Sequence, residues 1–356
     1  MSRDRWWKFQ ARAAPYLFVS PFVLIFCVFM LYPLARSLDL SFHKTFGAGH
    51  AIFIGAANYR FLLAHDLLFW LSVLNTAAYT LVFLAIEIPL SLGLAILLNS
   101  REVRLRNLFR FAFFSSYIVG QVFVGVIFNQ LFGNQGLVNR CIGILLGHRV
   151  EIGWLTSANL AMPTVVIASL WLGTGLAMVY FLAALQAVDR DLYEAAEIDG
   201  AGRWGRLVHV TLPGIRPVMT YLILIGVIGG FQLFELPFVL LQGAGPGGRG
   251  LTIVMYLFLT GFGGGDLGYA AAIGWVLALL LVIATVAHRS LGALKHTTAS
   301  ALPPLTPSPG APGEGRGEGF PLLLYFLPLY SLAQRGVRAL KHFRPKSDPR
   351  SRRRPS

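Results

Sequence analysis

The residues of this sequence that could carry out enzyme chemistry do not form a catalytic pattern. No lysine follows a glycine, so the phosphate-binding loop GxxxxGK[ST] is absent. No glutamate follows a histidine, so the zinc-binding HExxH pattern is absent too. The two cysteines, Cys27 and Cys141, fall in or near apolar segments, where we expect buried free thiols rather than a disulfide or a metal site. We therefore predict no catalytic residue, metal site or cofactor in this chain.

One glycine-rich segment does match a nucleotide-binding spacing. Gly243, Gly245 and Gly248 spell GxGxxG, which binds dinucleotides where it joins a strand to a helix. Here the segment follows an apolar run, and no strand–helix–strand pattern surrounds it. A turn in a loop is therefore favoured over a dinucleotide site.

Two glutamates, Glu87 and Glu235, lie inside long apolar segments. If those segments span a membrane, an ionised group near the centre costs about 2.5–3.5 kcal/mol on insertion scales, so it faces a wet cavity or the interior of a bundle. Each glutamate could contact a polar solute, or form a satisfied contact between helices. Both interpretations stay open.

Residues 189–214 form a charged, patterned loop between two apolar segments. Its first half holds five acidic residues: Asp189, Asp191, Glu194, Glu197 and Asp199. Leu192, Ala195 and Ala196 have helical spacing, which predicts a first helix with a face of small residues. Gly200 and Gly202 then interrupt the pattern, because glycine permits a left-handed turn.

A second amphipathic helix is predicted after this turn. Its apolar residues recur at i, i+3, i+4 and i+7, at Trp204, Leu207, Val208 and Thr211. We expect Asp199 to cap its start, and Pro213 and Pro217 to end it before the next apolar segment. Such a helix–turn–helix either lies on lipid or docks on another protein. The alanines and mixed charges favour docking, because small residues let a second backbone approach closely.

The composition places the loop in a membrane protein. Hydrophobic residues make up 55% of the chain, charged residues only 13%, and the mean hydropathy is +0.63. A spanning helix needs about 20 apolar residues. Six segments reach that length: Pro15–Leu34, Trp70–Leu98, Phe109–Phe132, Leu160–Leu185, Pro217–Leu241 and Tyr269–Ala287. Because lipid cannot satisfy free backbone groups, the predicted fold is all-α, a polytopic membrane protein with about six transmembrane helices.

The basic residues predict the orientation. Most of the Lys and Arg residues that flank the spans lie on one side of the membrane, in every second loop and next to the two termini. They are at positions 3, 5, 8, 12, 101, 104, 106, 110, 190, 203, 206, 216, 289 and 295. The other side holds Arg36, Lys44, Arg60, Arg140, Arg149 and Arg249. Cytoplasmic loops are enriched in these residues, so loop 189–214 and both termini are predicted to be cytoplasmic. The same bias and a basic tail account for the net charge of +14, and binding to nucleic acid is not predicted.

Four regions follow from these patterns. Residues 1–14 are a cytoplasmic lead-in, residues 15–69 a first span with its outer loop, and residues 70–295 the main transmembrane domain. Residues 296–356 are rich in proline and glycine and then basic, and we predict that they are not part of the fold. A further apolar stretch, 320–333, is short and interrupted by prolines, which leaves a seventh span open.

The loop resembles a known family motif. Glu194-Ala195-Ala196, Gly200, Val210 and Leu212-Pro213 are similar in type and spacing to the EAA motif of the permeases of binding-protein-dependent ABC importers, although isoleucine is usual at the position of Val210. Further pieces resemble the sugar and glycerol-phosphate branch, in the expected order: Asn58-Tyr59, Asn75-Thr76, Asp199-Gly200-Ala201, Phe234-Glu235-Leu236 and Gly245-Pro246-Gly247-Gly248. The similarity runs from about residue 15 to 295.

The resemblance implies a type I importer permease in a bacterial inner membrane, with loop 189–214 as its cytoplasmic coupling helix. The implied partners are a second, different permease chain, two subunits that bind ATP and Mg²⁺, and an extracytoplasmic solute-binding protein. The implied ATPase contacts are Glu194, Ala195, Ala196, Asp199, Gly200, Arg203, Val210, Leu212 and Pro213. The implied solute is a carbohydrate. From polarity and aromatic content we add Phe231, Gln232, Phe234 and Glu235 as a candidate solute pathway.

Two other classes of protein remain open. A stand-alone secondary transporter would show inverted repeats and ion-coupled uptake without an ATPase. A membrane enzyme or scaffold is less favoured, because the motifs above contain no nucleophile or metal constellation, and it stays open.

Overall fold

A computed structural model describes residues 3–47, 49–100 and 103–299. Within these residues, five helices are long and apolar enough to cross a membrane, and a sixth crossing results if one bent helix pair counts as one span. The five are Tyr16–Leu40, Leu67–Asn99, Ala161–Ala187, Arg203–Phe231 and Leu267–Ala287. The prediction of a helical bundle with about six spans is therefore confirmed. Residues 300–356, with the possible seventh span, lie outside the described residues.

The helices follow one another with short connections. In chain order they are α1 (Arg3–Phe26), α2 (Tyr32–Leu40), α3 (Ala57–Ala64), α4 (Leu67–Asn99), α5 (Arg106–Ile118), α6 (Gln121–Phe132), α7 (Leu137–Leu146), α8 (Ala161–Ala187), α9 (Arg190–Ile198), α10 (Arg203–Arg206), α11 (Leu212–Phe231), α12 (Glu235–Leu240), α13 (Ile253–Phe258) and α14 (Leu267–Ala299). π-helical turns at Cys27–Leu31 and Leu207–Thr211 join α1 to α2 and α10 to α11, and a third, Leu259–Gly263, extends α13.

The first outer loop contains a small β-hairpin that an all-α prediction omits. Strand β1 (His43–Phe46) pairs antiparallel with β2 (His50–Phe53), with His43 opposite Phe53. The hairpin lies between α2 and α3, outside the spanning helices. It does not change the helical class of the fold.

Helix α8 is the centre of the bundle. In its most apolar stretch, 56% of the residues are buried, and it packs along α4 with α5 and α11 at its sides. On α11, Gly226 and Gly230 allow a close approach to α4. A Cβ atom at these positions would lie 2.4 Å from Leu84 Cδ2 and 2.4 Å from Thr80 Oγ1. The two glycines form a small-xxx-small pair that serves helix packing.

Two predicted spans differ from the structure. The third, predicted as one segment from Phe109 to Phe132, is broken after Ile118, and its two parts are bent by 101°. Val119 and Gly120 take extended conformations there, with ψ of 125° and 148°. The fifth span ends at Phe231 rather than Leu241. Residues 232–234 leave the helix, and the short α12 follows.

The cysteine prediction was half right. Cys27 and Cys141 are both free, as expected, but both are exposed rather than buried. Cys27 lies in the first span, a helix whose most apolar stretch has no buried residue within the chain. Its apolar surroundings in the sequence therefore do not form a core within the described chain.

A buried carboxylate ties three helices together. Asp66, 6% exposed, caps α4 by accepting a hydrogen bond from Phe69 N at 3.0 Å. Its other oxygen accepts from the hydroxyl of Tyr256 on α13, at 2.6 Å, and from the hydroxyl of Tyr269 on α14. This one side chain therefore joins the start of α4 to α13 and α14.

Replacing Asp66 by asparagine is expected to lower the stability of the bundle by about 3 kcal/mol, because hydrogen bonds to a buried charged group are lost and an amide N–H₂ faces hydroxyl donors. Thermal unfolding of the purified protein measures the change. Asp39→Asn is the matched control. Asp39 pairs with Arg36 at 3.0 Å but is 54% exposed, and exposed ion pairs contribute about 0–1 kcal/mol. Equal unfolding temperatures for both variants would contradict the role given to Asp66.

Candidate functional site

The first helix of loop 189–214 is α9, which has a defined start and end. Asp189 caps it by accepting a hydrogen bond from Asp191 N at 3.1 Å. At its end, Gly200 N donates to Glu197 O at 3.1 Å and Ala201 N donates to Ala196 O at 2.9 Å. This pair of bonds is the Schellman motif, which needs a left-handed residue at the position of Gly200. Gly200 has φ of +76°, so the predicted glycine turn is confirmed.

The second helix of the loop differs from the prediction. Asp199 does not cap it: Asp199 is the C-cap residue of α9, and Gly202 precedes α10 without a side-chain cap. Pro213 and Pro217 do not end it either, since the helix runs without a break from Arg203 to Phe231. The π-helical turn Leu207–Thr211 changes the backbone bonding just before Pro213, so the missing N–H of this proline falls where α-helical bonding is already interrupted. The loop and the fifth span therefore share one helix.

The outer surface of the loop is exposed and partly apolar. Glu194, Ala195, Asp199, Gly200 and Arg203 are exposed, and Ala196 is half-buried. Three large apolar side chains among them are exposed: Leu192 at 54%, Ile198 at 87% and Trp204 at 76%. We call these three residues, with the exposed charged residues Glu194, Asp199 and Arg203, the docking surface.

The remaining predicted residues of the motif lie at the root of the loop. Val210 and Leu212 are half-buried and Pro213 is exposed. Leu212 packs against a buried cluster that contains Leu185 of α8 and Ile215 of α11. These residues therefore connect the docking surface to the bundle and do not belong to that surface.

A cavity of about 260 Å³ lies inside the bundle, between α4, the broken third span, α8 and α11. Tyr117 and Gln121, on either side of the break at Val119 and Gly120, both contact it. Tyr79 of α4 also contacts it and donates a hydrogen bond to Ser169 Oγ of α8 at 2.8 Å. Irregular backbone within a membrane is tolerated where it faces such a cavity.

Glu87 supplies the carboxylate of this cavity. It is 8% exposed, and among the described residues no hydrogen-bond donor contacts its carboxylate. Gly173 of α8 lies opposite, where a Cβ atom would be 2.7 Å from Glu87 Oε1. The side chain is therefore buried, without a direct partner, and directed at space that a small residue keeps open. Tyr79, Phe83 and Glu87 recur every four residues on α4. This spacing could have indicated that the three side chains share one face of the helix.

The candidate solute pathway lies beside the cavity. Phe231 is half-buried at the end of α11, and Phe234 packs with Phe238 and Phe258. Gln232 and Glu235 are exposed at the helix break. The cavity instead receives Leu233 and Leu236 from this segment. The four predicted residues are thus together at one helix break, while the polar groups of the cavity come from other helices.

The GxGxxG segment is a turn. Residues 246–248 form one turn of 3₁₀ helix between α12 and α13, and no strand adjoins it within the described chain. Asn75 of α4 holds it, since its Nδ2 donates to Gly248 O at 2.9 Å and to Leu251 O at 3.1 Å. The segment therefore lacks the strand–turn–helix context of a dinucleotide site.

These features define a class of protein. Spanning helices around a mainly apolar cavity with a few polar groups, and a structured loop that extends from the bundle, are consistent with a multi-pass transport subunit. The family described as "Binding-protein-dependent transport system inner membrane component" matches residues 87–294, and the chain belongs to this family. It is a membrane permease subunit of a binding-protein-dependent ABC importer.

Several relatives cover most of the chain. The arabinooligosaccharides transport system permease protein AraP of Bacillus subtilis (strain 168) is 39% identical over 290 residues, which are 81% of this chain and 91% of the relative. The lactose transport system permease protein LacF of Rhizobium radiobacter is 35% identical over 271 residues, covering 75% and 90%.

A solved structure has the same fold. A chain of a bacterial alginate ABC transporter, in complex with an alginate pentasaccharide-bound periplasmic protein, aligns with a TM-score of 0.68 over 80% of this chain and 96% of its own. Its sequence identity is 22%, so this similarity concerns the fold alone.

Proposed function

We propose that this protein is a permease subunit of a carbohydrate importer, driven by separate ATP-binding subunits that dock on loop 189–214. The observation that carries the proposal is the docking surface itself. A rigid loop, closed by a Schellman motif and continuous with the fifth span, presents Leu192, Ile198 and Trp204 to solvent. Large apolar side chains clustered on a structured loop indicate a surface that a partner buries.

Each part of the loop has a proposed role. Glu194, Ala195 and Ala196 contact the ATP-binding subunit, with Asp199 and Arg203 beside them. Gly200 sets the angle between the two helices. Val210, Leu212 and Pro213 pass movement to the fifth span. ATP and its Mg²⁺ bind to the partner, and this chain holds no cofactor, metal or catalytic residue of its own.

The proposed assembly has further members. It contains a second permease, which we propose is a different chain, two ATP-binding subunits and an extracytoplasmic solute-binding protein. The basic residues support an orientation in the bacterial inner membrane with loop 189–214 and both termini in the cytoplasm. The names of the relatives, which include arabinooligosaccharides and lactose, support a carbohydrate as the solute.

The cavity is the proposed place of solute contact within the bundle. It combines tyrosine rings, which can stack on sugar rings, with hydroxyl, amide and carboxylate groups that bind hydroxyls: Tyr79, Tyr117, Gln121, Ser169 and Glu87. An apolar pocket with a few polar groups is typical of a small-molecule site.

Cysteine cross-linking tests the docking. In a chain whose native cysteines are replaced by Cys27→Ser and Cys141→Ser, Ala195→Cys is expected to cross-link to the co-expressed ATP-binding subunit through a short thiol-reactive reagent. His148→Cys is the control, because His148 is equally exposed but lies on the predicted outer side.

Two results would contradict the proposal. Cross-linking of Ala195→Cys to phospholipid, with no adduct of an ATPase, would show that the loop lies on the membrane. Ion-driven uptake in vesicles that lack ATP-binding subunits would identify a secondary transporter.

A further inference from the structure

A partly buried hydrogen bond joins the first helix of the loop to the base of the fifth span. Tyr193 of α9 and Thr211 of the π-helical turn are 18 residues apart in sequence, yet their hydroxyl oxygens are 3.0 Å apart. Thr211 is 6% exposed. Its hydroxyl also donates to the carbonyl of Arg206 at 3.3 Å. Because threonine has one hydroxyl proton, Tyr193 donates to Thr211 and Thr211 donates to Arg206.

The bond meets the fifth span where its helix is irregular. In the π-helical turn, Leu212 N donates to the carbonyl of Leu207, five residues earlier. Such turns are uncommon in helices and are frequent at functional sites. Thr211 lies at the last position of the turn, so the hydroxyl of Tyr193 contacts the helix at this irregular point.

A second side-chain contact, between α9 and α10, is an exposed ion pair. Arg206 Nη1 lies 3.2 Å from Glu197 Oε2, but the Glu197 side chain is 71% exposed. An ion pair in water holds its partners only weakly. The Tyr193–Thr211 hydrogen bond and the Arg206–Glu197 ion pair therefore differ in burial. Variants that remove one or the other can be compared within the same protein.

The Tyr193–Thr211 bond is placed where it can pass a movement of α9 to the fifth span. Along the backbone, α9 is connected to α10 only by the turn that contains Gly200 and Gly202. No side chain caps the start of α10. The Tyr193–Thr211 bond bypasses that turn and connects α9 directly to the helix that continues into the membrane. A displacement of α9 by a docked subunit would reach the fifth span by this shorter route.

We propose that Tyr193 and Thr211 are positioning residues that make α9 and the fifth span move as one body, and so set how many solute molecules are imported per ATP hydrolysed. This inference rests on the proposed function. It adds two residues outside the predicted contact set, neither of which needs to touch the ATPase. Loss of the bond should leave docking intact and reduce the efficiency with which hydrolysis is converted into import.

The test uses the complete transporter, reconstituted in proteoliposomes with its binding protein, and measures uptake and ATP hydrolysis in the same sample. Tyr193→Phe and Thr211→Val each remove one hydroxyl while keeping the shape of the side chain. Each is expected to lower the ratio of solute imported to ATP hydrolysed about fivefold, the effect of one lost hydrogen bond. The double variant should be no worse than either single one, because both remove the same interaction.

Two further variants separate this role from a general loss of structure. Thr211→Ser keeps the hydroxyl and should keep a ratio near that of the unmodified protein. Glu197→Gln removes the exposed ion pair and should do the same. An unchanged ratio in Tyr193→Phe and Thr211→Val, or losses that add in the double variant, would overturn the inference. Failure of the unmodified chain to bind any ATP-binding subunit would instead overturn the proposed function.

Discussion

Gly200→Thr is expected to reduce uptake and the stimulation of ATP hydrolysis by the solute-loaded binding protein by about tenfold or more. Gly200 has φ of +76° at the end of α9, a conformation that a β-branched residue strongly disfavours. Its N–H also closes the Schellman motif. The substituted chain must change the angle between α9 and α10, so the docking surface no longer matches its partner. Reconstituted transporter measures both activities.

The neighbouring glycine provides a matched control for this variant. Gly202 has φ of −67° and ψ of 177°, which any residue adopts, and threonine is accepted at the start of a helix. Neither glycine has an atom within 4 Å of an added Cβ, so bulk is not the difference between them. Gly202→Thr should therefore retain activity.

A third substitution isolates the backbone conformation. Gly200→Asn should recover much of the activity, because asparagine tolerates the left-handed region. Equal losses in Gly200→Thr and Gly202→Thr would show that side-chain bulk, and not the turn, disturbs the loop. Full activity in Gly200→Thr would contradict the coupling role of loop 189–214.

Glu87→Gln is the second substitution with a large expected effect. It is expected to lower solute uptake about tenfold, since glutamine replaces one acceptor oxygen by an N–H₂ donor, and a polar group left without its hydrogen bond costs about 1–3 kcal/mol. The carboxyl group is buried, has no direct donor among the described residues and faces the cavity. Glutamine keeps the size of the side chain and changes only its hydrogen-bonding groups. The measurement is uptake of radiolabelled sugar by reconstituted transporter.

Glu235→Gln is the control for this substitution, and it tests the pathway predicted from the sequence. Glu235 is exposed at the start of α12 and does not contact the cavity. If the cavity binds solute, Glu235→Gln should leave uptake within about twofold of the unmodified value. Loss of uptake in Glu235→Gln but not in Glu87→Gln would favour the helix break at residues 232–234 as the solute pathway.

Loop 189–214 was largely predictable because its determinants are local. Helix caps, glycine turns and apolar periodicity act within about one turn of helix, so the spacing of Ala195, Ala196 and Gly200 predicted a helix followed by a left-handed turn. The same local rules failed at Pro213 and Pro217, which were expected to end a helix. The π-helical turn before Pro213 and the packing of Leu212 and Ile215 against α8 let the helix continue.

The sequence by itself determined that this protein folds in a lipid bilayer. Apolar segments of spanning length must be helical in lipid, because no other single segment satisfies its own backbone, and this holds whatever the neighbouring helices are. Composition and the lengths of the apolar segments therefore predicted the class of fold without any knowledge of contacts.

Only the tertiary structure decided where the polar groups of the bundle meet. Glu87, Gln121 and Ser169 lie on three different helices, and no periodicity within one segment could pair them. The close approach of α11 to α4 at Gly226 and Gly230, and the break at Val119 and Gly120, bring their side chains to one cavity. Contacts between helices depend on the packing of the whole bundle. Patterns within single segments of the sequence do not specify that packing.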